Sequence, residues 1–158
     1  MRIFEKISKK EYEKVLKDKC EYSDIELPKR STKHSAGYDF FSPFAFELEP
    51  GEIIKVPSGI KADMNGDEFL AILVRSSMGF KYNVRLCNQV GIIDSDYFNN
   101  PDNEGHIFVA LKNEGEKVYK VEKGDKYAQG IFQKYLLTDD DEADGERSGG
   151  LGSTSKKK

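Results

Sequence analysis

Five prolines, Pro28, Pro43, Pro50, Pro57 and Pro101, are spread through the middle of the chain. A proline has no N–H to donate and clashes with the preceding helical turn, so this stretch excludes long helices. Around the prolines, short runs rich in β-branched and aromatic residues alternate with clusters of Gly, Pro, Asn and Asp. The spacing predicts strands at 44–48, 53–56, 69–74, 91–93, 107–111, 117–121 and 128–137. Many short strands with turn signals between them predict an all-β sandwich or barrel. A short helical turn is expected after Arg75.

The ends of the chain read differently. Ser8 and Glu11 have capping-box spacing, and Ile7, Tyr12, Val15 and Leu16 form an apolar stripe, so residues 1–24 are expected to be an N-terminal helical extension. Residues 25–138 then form the β domain. Residues 139–144 (DDDEAD) are an acidic linker, and the Gly/Ser-rich remainder to residue 158 has little to bury and reads as a flexible C-terminal arm. Residues 99–105 (NNPDNEG) consist of turn formers and predict a loop. At 158 residues the chain fits one domain, large enough to need no disulfide or metal staple.

Charge and cysteine usage narrow the function classes. A net charge of −3 gives no reason to expect direct nucleic-acid binding. No apolar run reaches the roughly 18 residues of a membrane helix, so no membrane association is expected. Cys20 and Cys87 lack metal-ligand spacing and read as free thiols in a reducing compartment, which places the protein in the cytoplasm.

Five segments could carry chemistry. Arg75-Ser76-Ser77-Met78-Gly79 follows an apolar run, so a guanidinium, two hydroxyls and the N–H groups of a helix start meet at a strand end. Such a grouping suits phosphate, although alone it fits an ordinary helix cap. Gly91-Ile92-Ile93-Asp94-Ser95-Asp96-Tyr97 ends a buried run in a carboxylate and, three residues on, an aromatic ring. This suits a general base beside a sugar or base, and equally an Asx turn. Ala36-Gly37-Tyr38-Asp39 offers an aspartate for magnesium, directly or through water. Gly124-Asp125-Lys126-Tyr127-Ala128-Gln129 reads as a turn feeding a strand, with an amide at Gln129 for a ligand. Arg147-Ser148-Gly149-Gly150-Leu151-Gly152-Ser153-Thr154 could wrap a polyphosphate with backbone donors.

The order of these five segments resembles the five-motif pattern of trimeric dUTPases, and the match covers about residues 25 to 155. The resemblance implies an antiparallel β jelly-roll and a homotrimer whose active sites are shared between subunits. One chain's third motif would hold the nucleoside, a neighbour's second motif the phosphates, and the third chain's arm would close over both. It implies hydrolysis of dUTP to dUMP and pyrophosphate with Mg²⁺. That activity limits uracil incorporation into DNA and supplies dUMP for dTMP synthesis. Asp94 would activate the attacking water. Tyr97 would pack on the deoxyribose. Asn88, Gly91 and Ile93 would read uracil. Arg75, Ser76, Ser77, Gly79 and Gln129 would serve the phosphate site. Asp39 would bind a water of the metal. Arg147, Leu151, Gly152, Ser153 and Thr154 would close the arm, with Arg147, Ser153 and Thr154 at the γ end.

Three positions depart from the pattern. Asn99 stands where a glycine usually follows the tyrosine, and Gly105 takes its place after an insertion. Leu151 replaces a phenylalanine that stacks on uracil. Arg147 is one residue closer to Gly149-Gly150 than the common spacing. Three other readings remain open: a dCTP deaminase of the same fold, which needs a glutamate beside the cytosine ring; a nucleotide-sensing regulator with a protein partner that the sequence leaves unknown; and a degenerate structural member of the fold, against which Asp94, Tyr97 and Ser76 argue.

Overall fold

The computed structural model describes residues 1–152 and Thr154. Eleven strands are present among them: β1 (Ile3–Lys6), β2 (Tyr38–Phe41), β3 (Phe46–Leu48), β4 (Ile53–Pro57), β5 (Ile60–Asp63), β6 (Glu68–Leu73), β7 (Val84–Leu86), β8 (Gly91–Asp94), β9 (Phe108–Asn113), β10 (Tyr119–Val121) and β11 (Lys126–Lys134). Two short helices join them, α1 (Lys9–Val15) and α2 (Ser76–Tyr82). All strand pairs are antiparallel and build sheets ordered β2-β11-β6-β8, β4-β9-β7, β1-β5 and β10-β3. The expected all-β antiparallel jelly-roll is the observed architecture.

Alternation explains how the sheets close on one core. Along β9, Val109, Leu111 and Asn113 are buried and the residues between them are not. The apolar members meet Leu48, Val56, Leu70, Ile72 and Tyr127 in a single cluster. Asn113 is fully buried yet satisfied: its Nδ2 donates to the Leu48 and Lys117 carbonyls, and its Oδ1 accepts from Gly115 N–H. β1, β2, β5 and β7 were not foreseen. They are only three or four residues long, too few to stand out even where, as in β5 and β7, buried and half-buried positions alternate, so pairing rather than local sequence defines them. β11 ends at Lys134, before the expected 137, and Leu136 and Leu137 lie exposed beyond it.

The N-terminal stretch is woven into this body. β1 pairs with β5, and Phe4, Ile7 and Leu16 are buried in the core. α1 starts as expected, with Ser8 Oγ accepting from Glu11 N–H. The reciprocal half of the capping box is absent. The Ser8 N–H donates instead to Glu104 Oε2 at 2.9 Å, and the Glu11 carboxylate turns inward to His106 Nδ1 at 3.3 Å. Residues 99–105 are thereby tied to the helix. Asn99 has φ 55°, the left-handed conformation a glycine would adopt, and Asn is among the residues that tolerate it. The glycine missing after Tyr97 is therefore replaced in conformation as well as in sequence.

His106 is completely buried and accepts from Gly59 N–H at Nε2. Burial holds its pKa down at about 4, from an ordinary 6.5. A depressed folded pKa contributes stability above about pH 6.5 that is lost as pH falls toward about 4. Glu11, raised by burial, acts in the opposite sense above its ordinary value. Thermal unfolding across pH 7.5 to 4.5 should therefore lose less stability in His106→Gln, which keeps an acceptor for Gly59, than in the parent. Parallel curves would remove His106 as the source.

Candidate active site

β6 places two groups of functional residues. Its C-terminal end runs into Arg75, the extended N-cap of α2, while Phe69 near its other end lies opposite Asp94 of β8. Arg75 is six residues beyond Phe69, so at about 3.3 Å per residue the two groups stand roughly 20 Å apart in one chain.

At the Arg75 end is a cleft of about 340 Å³ lined by Gly37, Asp39, Arg75, Ser76, Gln129 and the loop residues Ser31 and Ser35. Asp39 is its electrostatic hub. Oδ1 meets Arg75 Nε at 3.0 Å, and Oδ2 accepts from Ser31 Oγ at 2.6 Å and lies 2.9 Å from Lys126 Nζ. Burial pushes the Asp39 pKa up, but the Ser31 and Lys126 hydrogen bonds and the charges of Arg75 and Lys126 outweigh it, and the net shift is downward. Two cations against one carboxylate leave a positive charge for an anion. Gln129 is fixed by a 3.0 Å hydrogen bond from its Nε2 to the Val74 carbonyl. Its Oε1 lies so near Gly37 that a Cβ there would sit 2.2 Å away. Ser77 and Gly79 lie on α2 outside this lining. Ser31, Ser35 and Lys126 escaped the sequence reading. Isolated serines and lysines carry no signal, and only the pairing of Lys29 with Asp39 and of β11 with β2 brings them here.

At the other end, Asp94 closes β8 with its carboxylate about half exposed. A cleft of about 150 Å³ is lined by Ile92, Ile93, Asp94, Tyr97 and the arm residues Arg147, Gly150, Leu151, Gly152 and Thr154. Arg147 Nη2 lies 2.7 Å from Asp94 Oδ2, its Nε donates to Asp96 Oδ1 at 2.7 Å, and the guanidinium stands 5.6 Å over the Tyr97 ring. The arm thus lies on its own chain's Asp94, and Arg147 is not in the Arg75 cleft. Leu151 is exposed at the lip. Ser153, expected at the γ end, lies outside the described residues.

Asn88 sits in the turn from β7 to β8 and is exposed. These two strands do not pair with each other. β7 is an edge of the sheet β4-β9-β7, and β8 is an edge of β2-β11-β6-β8. The turn therefore opens between two sheet edges, with the N–H groups of Cys87, Gln89 and Val90 paired to the Ala110, Leu86 and Asn88 carbonyls. Gly91 lets β8 lie close on β6, since a Cβ there would be 3.1 Å from Ile72 Cβ.

Among the described residues no group of three or more His, Cys, Asp or Glu could hold a metal. Asp39 already faces two cations, which disfavours a resident dication. Its Oδ1 accepts from Arg75 alone and keeps a lone pair for a metal-bound water. The residues fit a cation carried in on a polyphosphate.

A jelly-roll with a cationic cleft at one strand end and an exposed aspartate beside a buried tyrosine at the other suits a phosphate-bearing ligand. Comparison with known proteins supplies the family. A dUTPase family model matches residues 23–155. The deoxyuridine 5'-triphosphate nucleotidohydrolase of Lactococcus lactis is 46% identical over 138 residues, covering 86% of this chain and 92% of that protein. The crystal structure of dUTPase from Streptococcus mutans superposes with TM-score 0.70 at 41% identity, covering 86% of this chain and 98% of that one. A dUTPase from phage phi11 of S. aureus, described with a structural Mg(II) ion, shares the fold with TM-score 0.68 at 18% identity, covering 92% and 97%. The chain belongs to the dUTPase family, the enzymes that hydrolyse dUTP to dUMP and pyrophosphate.

The Gly37–Gln129 contact can be tested directly. Gly37→Ala should displace the Gln129 amide and raise KM for dUTP about 5- to 10-fold, the value of one or two hydrogen bonds. Its unfolding temperature should barely move. An unchanged KM would show that Gln129 does not grip the substrate.

Proposed function

We propose that this dUTPase-family enzyme hydrolyses dUTP by in-line attack of a water held by Asp94, in sites shared between the subunits of a homotrimer. The observation that carries the reading is the meeting of Asp94, Tyr97 and the Gly-rich arm in one cleft. Asp94 takes the proton from the water as its oxygen bonds to the α-phosphorus. The bond from that phosphorus to the bridging oxygen breaks, and pyrophosphate leaves. Tyr97 backs the deoxyribose, and its fixed ring leaves no space for a 2′-hydroxyl. The turn of Asn88 reads uracil between the two sheet edges with Gly91 and Ile93. A thymine methyl would crowd that space, and a cytosine edge would leave buried polar groups unpaired.

The phosphates belong to the cleft of Arg75, Ser76 and Gln129, with Ser77 close by on α2 and Gly79 shaping that helix. A triphosphate is too short to span roughly 20 Å along β6, so a second copy must bring its phosphate cleft to this chain's Asp94. Arg147, Leu151, Gly152, Ser153 and Thr154 close over the nucleotide. Phosphate oxygens compete for the Arg147 guanidinium and draw it off Asp94, freeing the base only when substrate is present. Mg²⁺, when bound on the triphosphate, supplies charge neutralisation, with Asp39 accepting from one of its waters. The reaction serves a nucleotide pool and is placed in the cytoplasm. Among the described residues no helix is long and apolar enough to cross a membrane.

Pyrophosphate release should be fast with dUTP and Mg²⁺ and slow with dCTP, dTTP or UTP. Asp94→Asn should keep nucleotide binding by calorimetry while kcat falls by about 10²- to 10⁴-fold, the range for loss of a positioned base. Full turnover in that variant would remove Asp94 from the mechanism.

Sharing of the site has its own readout. Asp94→Asn and Arg75→Ala proteins, each inactive alone, should regain part of the wild-type rate when coexpressed, because mixed trimers contain sites with both native residues. Coexpression without recovery would place Asp94 and Arg75 in a site built by one subunit.

A further inference from the structure

We infer that the inserted loop at 99–105 is a positioning platform for Tyr97, with Asn103 as the residue that sets the ring. This rests on the reading of Tyr97 as the sugar-contacting residue. The Tyr97 hydroxyl makes two hydrogen bonds inside the protein. It donates to the His106 carbonyl at 2.9 Å and accepts from Asn103 Nδ2 at 2.8 Å. A phenol held at both its donor and its acceptor has its hydroxyl oxygen anchored, which stops the whole ring from swinging about the Cα–Cβ bond.

Asn103 is itself held. It is buried, and its Oδ1 accepts from Asn100 Nδ2 at 2.8 Å and from Gly105 N–H at 3.1 Å. Asn100 Nδ2 also donates to the Tyr97 carbonyl, and Asn100 Oδ1 accepts from the N–H groups of Asp102 and Asn103. Gly105, at φ +83°, admits no side chain, since a Cβ would lie 2.7 Å from the Tyr97 carbonyl oxygen. The loop is thus wound tightly around the tyrosine's backbone as well as its hydroxyl.

The far side of the platform rests on α1. Glu104 accepts from the Ser8 N–H and hydroxyl, Lys14 Nζ reaches the Asp102 carbonyl at 3.5 Å, and the His106 ring is braced between Glu11 and Gly59. Gly150 of the arm packs on the near side, where a Cβ would sit 2.9 Å from Asn103 Nδ2 and from Asp102 Oδ2. One loop therefore fixes the sugar platform, receives the arm, and links both to a helix that the reaction does not otherwise use.

The test is substrate preference. Asn103→Asp keeps the size and the acceptor of the side chain but loses the donor to Tyr97; Asn103→Ala loses both. Each should raise KM for dUTP about 5- to 10-fold, the worth of the lost bond, with kcat within about twofold. The preference for dUTP over UTP should narrow by a similar factor. In a Tyr97→Phe background, Asn103→Ala should add less than about twofold, because the bond is already gone. An Asn103→Asp protein with parental unfolding temperature and unchanged preference would overturn the inference. So would full additivity with Tyr97→Phe. A parent that fails to hydrolyse dUTP would instead sink the functional reading on which it stands.

Discussion

The geometry of one strand governs the rest. β6 holds Asp94 beside its beginning, through the pairing of Phe69 with Asp94, and delivers Arg75 at its end. Extended backbone cannot be shortened, so the Asp94 and Arg75 clefts are kept apart in any single copy of the chain. This explains why a domain with a well-packed core still presents two half-built clefts. In the proposed reading its folding and the completion of its chemistry are separate events, the second depending on association.

Charge is distributed to match. The Arg75 cleft is cationic, with Asp39 balancing one of its two positive side chains. The Asp94 cleft is anionic, with Asp94 and Asp96 both facing Arg147. A polyphosphate alone would be repelled from the second cleft, and in the proposed reading it enters only with cationic groups drawn around it. The arm supplies one such group. Its Gly-rich sequence packs little apolar surface, so it is held by a few polar contacts and can exchange partners at low cost.

Much of this was legible in the sequence and some was not. The seven strands expected from apolar runs all exist, because runs such as 70–72, buried throughout, and Val109 with Leu111, buried at alternate positions, supply the core. The short strands β1, β2, β5 and β7 were missed because their partners, not their composition, define them. Asp94, Tyr97, Arg75 and Gln129 stood out because their segments fall in the order of the dUTPase motifs, although each segment alone fits an ordinary turn, cap or strand. Ser31, Lys126 and Asn103 did not, since each is an ordinary surface type until long-range pairing buries it or aims it. The capping box at Ser8 was half right. Its glutamate belongs to a tertiary contact with His106, which no local pattern encodes.

The divergence of β7 and β8 into different sheets has a consequence for how the enzyme can change. Groups exposed along strand edges belong to the main chain and are common to every amino acid, so recognition built from them survives most substitutions in the turn. In the proposed reading, a relaxed or altered base preference would then require the two sheets to shift against each other, a movement the shared core resists, so that fidelity toward the base would be lodged in the architecture more than in any one side chain.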